Sequence, residues 1–253
     1  MFKKIMIPLL VSANLLALSN LEVAQKSEAV MNGFKDATST MEMTLVNAHG
    51  QKKVRKMRSI VLENPNSDDG DKSLMEFLSP ADVKGTKFLS YEHITKDDDQ
   101  WLYLPALKRV KRIASRNKSG AFMGSEFSYE DLSSFNLNKY SYSGDAKEIV
   151  LDGVKMYEST RIPVSKTSGY TQQISFVDAQ TFLASKVDYY DRKSELLKTA
   201  TFSDYKKISG VWRIGKIEMK NHQNDKATVL VWSNEKVGVG LKSKDFHKRV
   251  LKR

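Results

Sequence analysis

The chain has 253 residues, no cysteine and a formal net charge of +11. This length is sufficient for one domain with a sizeable core. The absence of cysteine excludes disulfides, thiol chemistry and a lipid anchor attached through a cysteine. The positive charge favours anionic partners such as phospholipid head groups or an acidic protein surface.

The N-terminal residues are typical of a signal peptide. A short basic segment is followed by the mostly apolar residues 5–18, which are fewer than the roughly 20 residues that span a bilayer. Ala17 and Ser19 place small residues before a cleavage site. We therefore predict that residues 1–19 are a signal peptide and that residues 20–253 form one domain in the periplasm. Export argues against nucleic acid as a partner, and an uncleaved membrane anchor is the alternative.

From about residue 38 onward, apolar and polar residues alternate with a period of two, which predicts antiparallel strands joined by tight turns. In the first half the pattern covers residues 41–45, 54–62, 74–78, 86–91 and 101–104. In the second half it covers residues 139–142, 147–151, 154–163, 170–177, 182–190, 197–208, 211–220 and 228–236. Such short turns between closely spaced strands favour an antiparallel meander.

Helical patterns are scarce. Residues 21–34 could form an amphipathic helix, and residues 128–135 a short one, because Ser128 and Asp131 have the spacing of a capping box. The tail 243–253 could add a turn or two, with Phe246 and Val250 on one side. The predicted fold class is mainly β with a few helices.

No group of residues indicates catalysis. The histidines His49, His93, His222 and His247 do not have the spacing of metal ligands, and the acidic runs 68–71 and 97–99 do not follow the EF-hand pattern. No nucleophile elbow and no phosphate-binding glycine loop is present. We predict no metal, no cofactor and no enzymatic activity. An active site assembled from residues scattered along the chain is the alternative.

Residues 108–118 carry six positive charges within eleven positions. They could be a solvated strand and loop, with Val110 and Ile113 turned to the core. They could instead form a basic contact for lipid phosphates or an acidic partner. This second hypothesis assigns the contact to Lys108, Arg109, Lys111, Arg112 and Arg116.

The same region resembles a known family. Residues 101–113 (WLYLPALKRVKRI), 122–125 (FMGS) and 129–131 (YED) are similar to the central signature of LolA-like outer membrane lipoprotein-sorting proteins. Residues 80–82, 85–86, 152–153 and 210–212 extend the resemblance to nearly the whole chain after the predicted signal peptide. Glu126 stands where the family more often has aspartate, which conserves the charge.

The resemblance implies an incomplete, strongly curved antiparallel β-barrel whose apolar concave face is covered by helices. It also implies a carrier that binds lipid or the acyl chains of lipoproteins in the periplasm. From the basic stretch we expect transient contact with an anionic membrane surface. Some relatives are similar to companions of resistance-nodulation-type exporters, so an inner-membrane transporter is a further candidate partner. The alternative function is an accessory protein of such a transporter that carries no lipid of its own.

The predicted lining of the concave face follows from the alternation, although a slip of one residue would exchange the two faces of a strand. Methionine adapts to irregular apolar ligands, and the chain contains ten of them. The predicted lipid-binding residues are Met41, Met43, Leu45, Ile60, Leu62, Met75, Phe77, Trp101, Tyr103, Phe122, Met123 and Phe127. The basic contact is expected near the rim, because a strand with charges on both faces cannot be buried on both.

Overall fold

The computed structural model describes residues 17–64 and 69–253, and within them it contains one α-helix and sixteen strands. The helix α1 spans Asn20–Met31. The strands are β1 (Asp36–Val46), β2 (Lys52–Leu62), β3 (Asp69–Ser79), β4 (Lys87–His93), β5 (Asp99–Leu104), β6 (Arg109–Ile113), β7 (Tyr140–Ser141), β8 (Lys147–Leu151), β9 (Val154–Pro163), β10 (Gln172–Asp178), β11 (Ala184–Tyr190), β12 (Leu196–Ser203), β13 (Lys206–Ile208), β14 (Val211–Arg213), β15 (Lys216–Asn221) and β16 (Ala227–Val237). Short 3₁₀ turns lie at Pro105–Leu107, Ser115–Asn117, Tyr129–Leu132, Leu137–Lys139, Ser243–Phe246 and Lys248–Lys252.

Among the described residues, fourteen strands form one open, strongly curved antiparallel sheet in the order β6-β5-β4-β3-β2-β1-β16-β15-β12-β11-β10-β9-β7, with β8 also paired to β9. The first half of the chain is a meander from β1 to β6, and the second half is another that ends at β16. The pairing of β1 with β16, for example Met43 with Leu230, joins the two meanders. This architecture confirms the predicted mainly β fold class.

Most predicted elements are present. The strands β8 and β9 have the predicted bounds, the predicted helix 21–34 is α1, and the capping box at Ser128 begins the 3₁₀ turn Tyr129–Leu132. No helix in residues 17–64 or 69–253 is long and apolar enough to span a membrane. Most of the predicted signal peptide, residues 1–16, lies outside the described residues, so its cleavage stays a prediction.

The predicted long strands 197–208 and 211–220 are each interrupted. The chain leaves the main sheet after β12, forms the separate ribbon β13–β14, and returns as β15. At the return, a Cβ atom on Gly215 would lie 2.2 Å from the carbonyl oxygen of Asp204, so only glycine permits this close approach. The ribbon lies against α1 rather than in the sheet.

Both faces of the sheet carry apolar clusters. The larger cluster covers the concave face and includes Met43, Phe77 and Phe122, all fully buried. The smaller cluster lies on the convex face, where Phe246 and Leu251 of the C-terminal tail cover part of the first meander. The tail thus buries apolar residues on a face that would otherwise be exposed to solvent.

The segment that connects β6 to β7 crosses the concave side, because these strands lie at opposite ends of the sheet order. We call residues 114–139 the crossing segment. The Nζ atom of Lys198 on β12 donates to Asp131 of this segment at 2.6 Å, and the hydroxyl of Tyr170 donates to the same carboxylate at 2.7 Å. From the first meander, the guanidinium of Arg55 donates to the carbonyl of Met123 at 2.7 Å. Both halves of the sheet therefore hold the crossing segment.

The end of the crossing segment meets a cluster of acids. Lys139 donates to both carboxylate oxygens of Asp98, at 2.8 and 2.9 Å, and to Glu92 at a longer 3.3 Å. Burial, reinforced by the negative charges of the nearby Asp98 and Asp71, raises the pKa of Glu92 to about 8. The positive charge of Lys139 lowers this pKa but compensates only in part. At neutral pH Glu92 is therefore mostly protonated, and Lys139 pairs chiefly with Asp98.

This protonation predicts a pH-dependent stability. Because the folded protein binds the Glu92 proton more tightly than the unfolded chain, where the pKa is near 4.5, its contribution to the free energy of unfolding falls as the pH rises from about 4.5 to about 8. Glu92→Gln cannot titrate. We expect the difference in unfolding free energy, wild type minus variant, to fall by roughly 5 kcal/mol across this range in urea titrations.

Glu148→Gln, at an exposed position on β8, is the matched control and should show no such trend. A difference for Glu92→Gln that stays constant or rises with pH would contradict the assignment.

Candidate functional site

A cavity of about 1180 Å³ lies between the concave face of the sheet, α1 and the crossing segment. Its floor includes Met41 of β1 and Leu230 of β16, the strands that join the two meanders. The helix α1 closes one side with Val23 and Met31. Val23 is fully buried against Ala146 and Val177, which fixes the helix on the sheet.

Three of the predicted lining residues face this cavity. Met41, Met75 and Phe127 all line it. Five others, Met43, Leu45, Phe77, Phe122 and Met123, belong to the same concave-face cluster but not to the cavity wall. The prediction that they line the cavity is wrong, because the crossing segment packs directly on this part of the sheet and fills it as a closed core.

Four predicted lining residues lie on the opposite face. Ile60, Leu62, Trp101 and Tyr103 belong to the convex cluster beneath the C-terminal tail, and the cavity is lined instead by their neighbours, which include Ser59, Val61 and Gln100. The prediction is wrong here by one residue of register. The tail makes the convex face of these strands as apolar as the concave one, so the alternation alone selected the wrong face.

The cavity wall also contains polar residues that sequence reasoning missed. On β9 and β10 the wall is formed by small or polar side chains, including Ser159, Arg161, Gln173 and Ser175, and the neighbouring aromatic residues are Tyr140, Tyr142 and Tyr189. Residues 154–163 are predicted only as a strand, and the sequence contains no signal that Arg161 lines a cavity. The cavity thus combines apolar walls with a polar region.

Several acids of the wall have raised pKa values. Burial raises the pKa of Glu28 on α1, although the backbone N–H of Leu137 partly offsets this effect. Burial also raises the pKa values of Asp71 and Glu130. These carboxyls therefore hold a proton to higher pH than a free side chain would.

The predicted basic contact lies on a sheet edge. Arg109, Lys111 and Arg112 are exposed on β6, the last strand of the first meander, and Lys108 and Arg116 are exposed beside it. This confirms that at least one face of the strand reaches solvent. Val110 contacts the convex cluster and Ile113 belongs to the concave one. These two apolar residues therefore hold β6 on the sheet, while its charged side chains lie outside the core.

One of these cations is paired, and one further cation adds to the group. Arg112 donates to Asp99 at 2.6 Å, whereas no ion pair is found for Lys108, Arg109, Lys111 or Arg116 among the described residues. Lys248 of the tail lies 4.0 Å above the ring of Trp101, which pairs with Arg112 across β5 and β6. The basic surface therefore extends from β6 onto the tail.

Comparison with known proteins agrees with this architecture. A family model described as an uncharacterized protein matches residues 69–253. No curated protein matches significantly. A crystal structure from Vibrio parahaemolyticus, named as an outer membrane lipoprotein-sorting protein domain, is 48% identical with a TM-score of 0.85, and the match covers 92% of this chain and 98% of that one.

Two further crystal structures have the same fold. A DUF1329 family protein from Desulfovibrio piger is 31% identical with a TM-score of 0.84, covering 92% of this chain and 97% of that one. A LolA superfamily protein from Nitrosomonas europaea is 18% identical with a TM-score of 0.72, covering 92% and 100%. The family model, the extent of these matches and the open curved sheet lead to one conclusion. The chain belongs to the family of outer membrane lipoprotein-sorting protein domains and DUF1329 proteins, and it has the fold of a LolA superfamily protein.

Proposed function

We propose that this protein is a periplasmic carrier that shields the acyl chains of a lipid or lipoprotein in its cavity during transfer between the inner and outer membranes. The cavity of about 1180 Å³ is the observation that carries the proposal. Typical small-molecule pockets have volumes of roughly 300–1,000 Å³, so this cavity can hold a larger ligand. The proposed role requires no catalysis and no cofactor.

The energetics suit a carrier. Exposure of an acyl chain to water costs about 0.8 kcal/mol per CH₂, or on the order of 12 kcal/mol for a chain of about sixteen carbons. Apolar side chains from both meanders and from α1 offset this cost, for example Met75 on β3, Val187 on β11 and Met31. The cavity is bounded by α1 and the crossing segment, which are the elements that would have to yield when cargo enters or leaves.

A charge in the apolar part of the wall should abolish lipid binding. Val61 lines the cavity and is only half-buried, so a lysine there can remain hydrated in the absence of lipid. In Val61→Lys we expect the lipid that co-purifies with the protein, measured by solvent extraction and mass spectrometry, to fall at least tenfold. The melting temperature should change little.

Val54→Lys on the same strand is the matched control, because Val54 is exposed and does not line the cavity. It should retain lipid at the wild-type level. If wild type co-purifies with no lipid, or if Val61→Lys holds as much as Val54→Lys, the carrier function in this cavity is refuted. Binding of wild type to an inner-membrane transporter without any lipid would then favour the accessory function.

The basic surface is proposed to meet anionic groups during cargo transfer. Lys108, Arg109, Lys111 and Arg116 are exposed and have no ion-pair partner among the described residues, so their charges are available to a lipid surface or an acidic partner. Each exposed cation near an anionic membrane contributes about 1 kcal/mol, screened by salt.

Reversal of these charges should weaken membrane association. For Lys108→Glu combined with Lys111→Glu and Arg116→Glu, we expect the affinity for anionic phospholipid vesicles to fall on the order of hundredfold at low salt, and less at high salt. Vesicle co-sedimentation over a salt series measures the change. Stability should barely alter, because these side chains are exposed.

The matched control reverses Lys155, Lys193 and Lys220, which are equally exposed but lie in the second meander. An equal loss in both triple variants would show that net charge alone acts and that no basic contact exists. Loss of transporter binding with vesicle binding intact would instead place an acidic protein on this surface.

A further inference from the structure

Arg161 occupies an unusual position in the cavity wall. Its Nε donates to Gln173 at 2.8 Å, and its guanidinium lies 4.7 and 4.9 Å from the ring centroids of Phe135 and Tyr140. No carboxylate within the described residues forms an ion pair with it. The other half-buried cations of the wall are paired: Lys118 with Asp97, Lys139 with Asp98 and Arg213 with Glu235.

Two hydroxyl groups of the same wall also have no protein partner. Tyr142 Oη and Ser175 Oγ are buried, and neither forms a hydrogen bond with any described residue. Ser175 is only 6% exposed and lines the cavity, so its hydroxyl is shielded from bulk solvent. A buried hydroxyl without a partner is unfavourable because it has lost its hydrogen bonds to water, which makes two in one cavity wall notable.

The sheet register places these groups next to each other. Arg161 pairs with Gln173 and Ser159 pairs with Ser175 across β9 and β10, so Arg161 and Ser175 are diagonal neighbours on the concave face. On the other side of β9, Ser141 pairs with Ile162, which puts Tyr142 beside Arg161. The guanidinium lies beside the rings of Phe135 and Tyr140, and among the described residues no hydrogen bond from its terminal N–H groups is found, so these groups are available to a ligand.

The combined chemistry is that of an anion site attached to an apolar chamber. A guanidinium binds carboxylate and phosphate oxygens through two parallel hydrogen bonds, and the two hydroxyls can donate to the remaining oxygens. We propose that Arg161, Tyr142 and Ser175 bind the phosphate or carboxylate head group of an amphiphile whose chain lies against the apolar wall. This inference rests on the proposed carrier function and specifies the polar end of its cargo.

The acid that faces this subsite does not oppose the assignment. Glu28 on α1 is near enough to Tyr142 to influence its hydroxyl, and it accepts a hydrogen bond from the backbone of Leu137. Burial raises the pKa of Glu28, so its negative charge is more easily neutralised than that of an exposed carboxylate. A proton on this carboxyl would also allow it to donate to an anionic ligand.

Delipidated protein and ligands that differ only in the head group test the proposal. Hexadecyl phosphate, palmitate and hexadecanol have chains of the same length, and their affinities can be measured by displacement of a fluorescent fatty-acid analogue at submicellar concentrations. We expect wild type to bind the phosphate and the carboxylate at least tenfold more tightly than the alcohol. Arg161→Met, which retains an apolar side chain beside the two rings, should remove this preference and leave alcohol binding unchanged.

Two smaller substitutions make the test independent of the arginine. Tyr142→Phe and Ser175→Ala should each lower the affinity for hexadecyl phosphate about three- to tenfold, with alcohol binding unchanged. Ser90→Ala is the matched control, because Ser90 Oγ is also buried without a partner but does not line the cavity. It should bind all three ligands as wild type does.

The outcomes separate this inference from the proposed function. Equal binding of all three ligands by wild type would overturn the anion subsite and leave the carrier intact, whereas no binding of any of them would refute the carrier. A preference that survives in Arg161→Met, Tyr142→Phe and Ser175→Ala would also overturn the assignment. Inorganic phosphate that binds as tightly as hexadecyl phosphate would show a site for the free anion rather than for an amphiphile.

Discussion

The buried ion pair between Lys198 and Asp131 is the contact on which the cavity depends. Both side chains are only 4% exposed, and their 2.6 Å bond connects a central strand of the second meander to the crossing segment. Two buried charges incur a large desolvation cost unless further hydrogen bonds satisfy them. Here the backbone N–H of Ser128 and the hydroxyl of Tyr170 donate to Asp131, and Lys198 also donates to the carbonyl of Glu126. Loss of one partner from such a pair typically costs 3–5 kcal/mol.

This pair solves a problem that the sheet topology creates. The strands β6 and β7 are at opposite ends of the sheet order, so the chain between them must cross the concave side without a strand of its own. Its backbone groups need partners elsewhere, and the sheet provides them: Gln100 donates to the carbonyl of Tyr129, and Thr228 accepts from the N–H of Glu126. Where the crossing segment packs on the sheet, a closed core forms. Where the crossing segment does not touch the sheet, the space between the two is the cavity.

The local structure could be predicted from the sequence, but the elements that cover each face of the sheet could not. Alternation and turn residues predicted β8 and β9 at their observed bounds, and the Ser128 capping box marked the turn at Tyr129–Leu132. The faces of β2 and β5 were assigned wrongly because the tail buries Ile60 and Trp101 from the convex side. This contact joins residues more than 140 positions apart, so no local pattern contains it.

The site was predicted in part for a similar reason. Met41, Met75 and Phe127 were found because they are apolar and on the correct face. Met43 and Phe77 share that face but lie under the crossing segment. Only the tertiary structure shows which apolar residues line the cavity and which belong to the closed core. Arg161 was missed because a lone arginine in a strand is normally solvated, and its position beside Phe135 and Tyr140 depends on how the crossing segment returns to β7.

The two proposed anion contacts, the basic surface for a membrane and Arg161 for a head group, have different electrostatic settings. The cations of β6 are exposed, so salt screens them and they can release an anionic surface easily. Arg161 is partly enclosed and ordered by two rings, so an anion there would be held in a lower dielectric and exchanged more slowly. The crossing segment begins directly after β6 and ends beside β7, next to Arg161. An anionic membrane on the basic surface would therefore contact the strand that leads into the crossing segment, and the position of that segment would determine whether a head group at the proposed Arg161 site could leave.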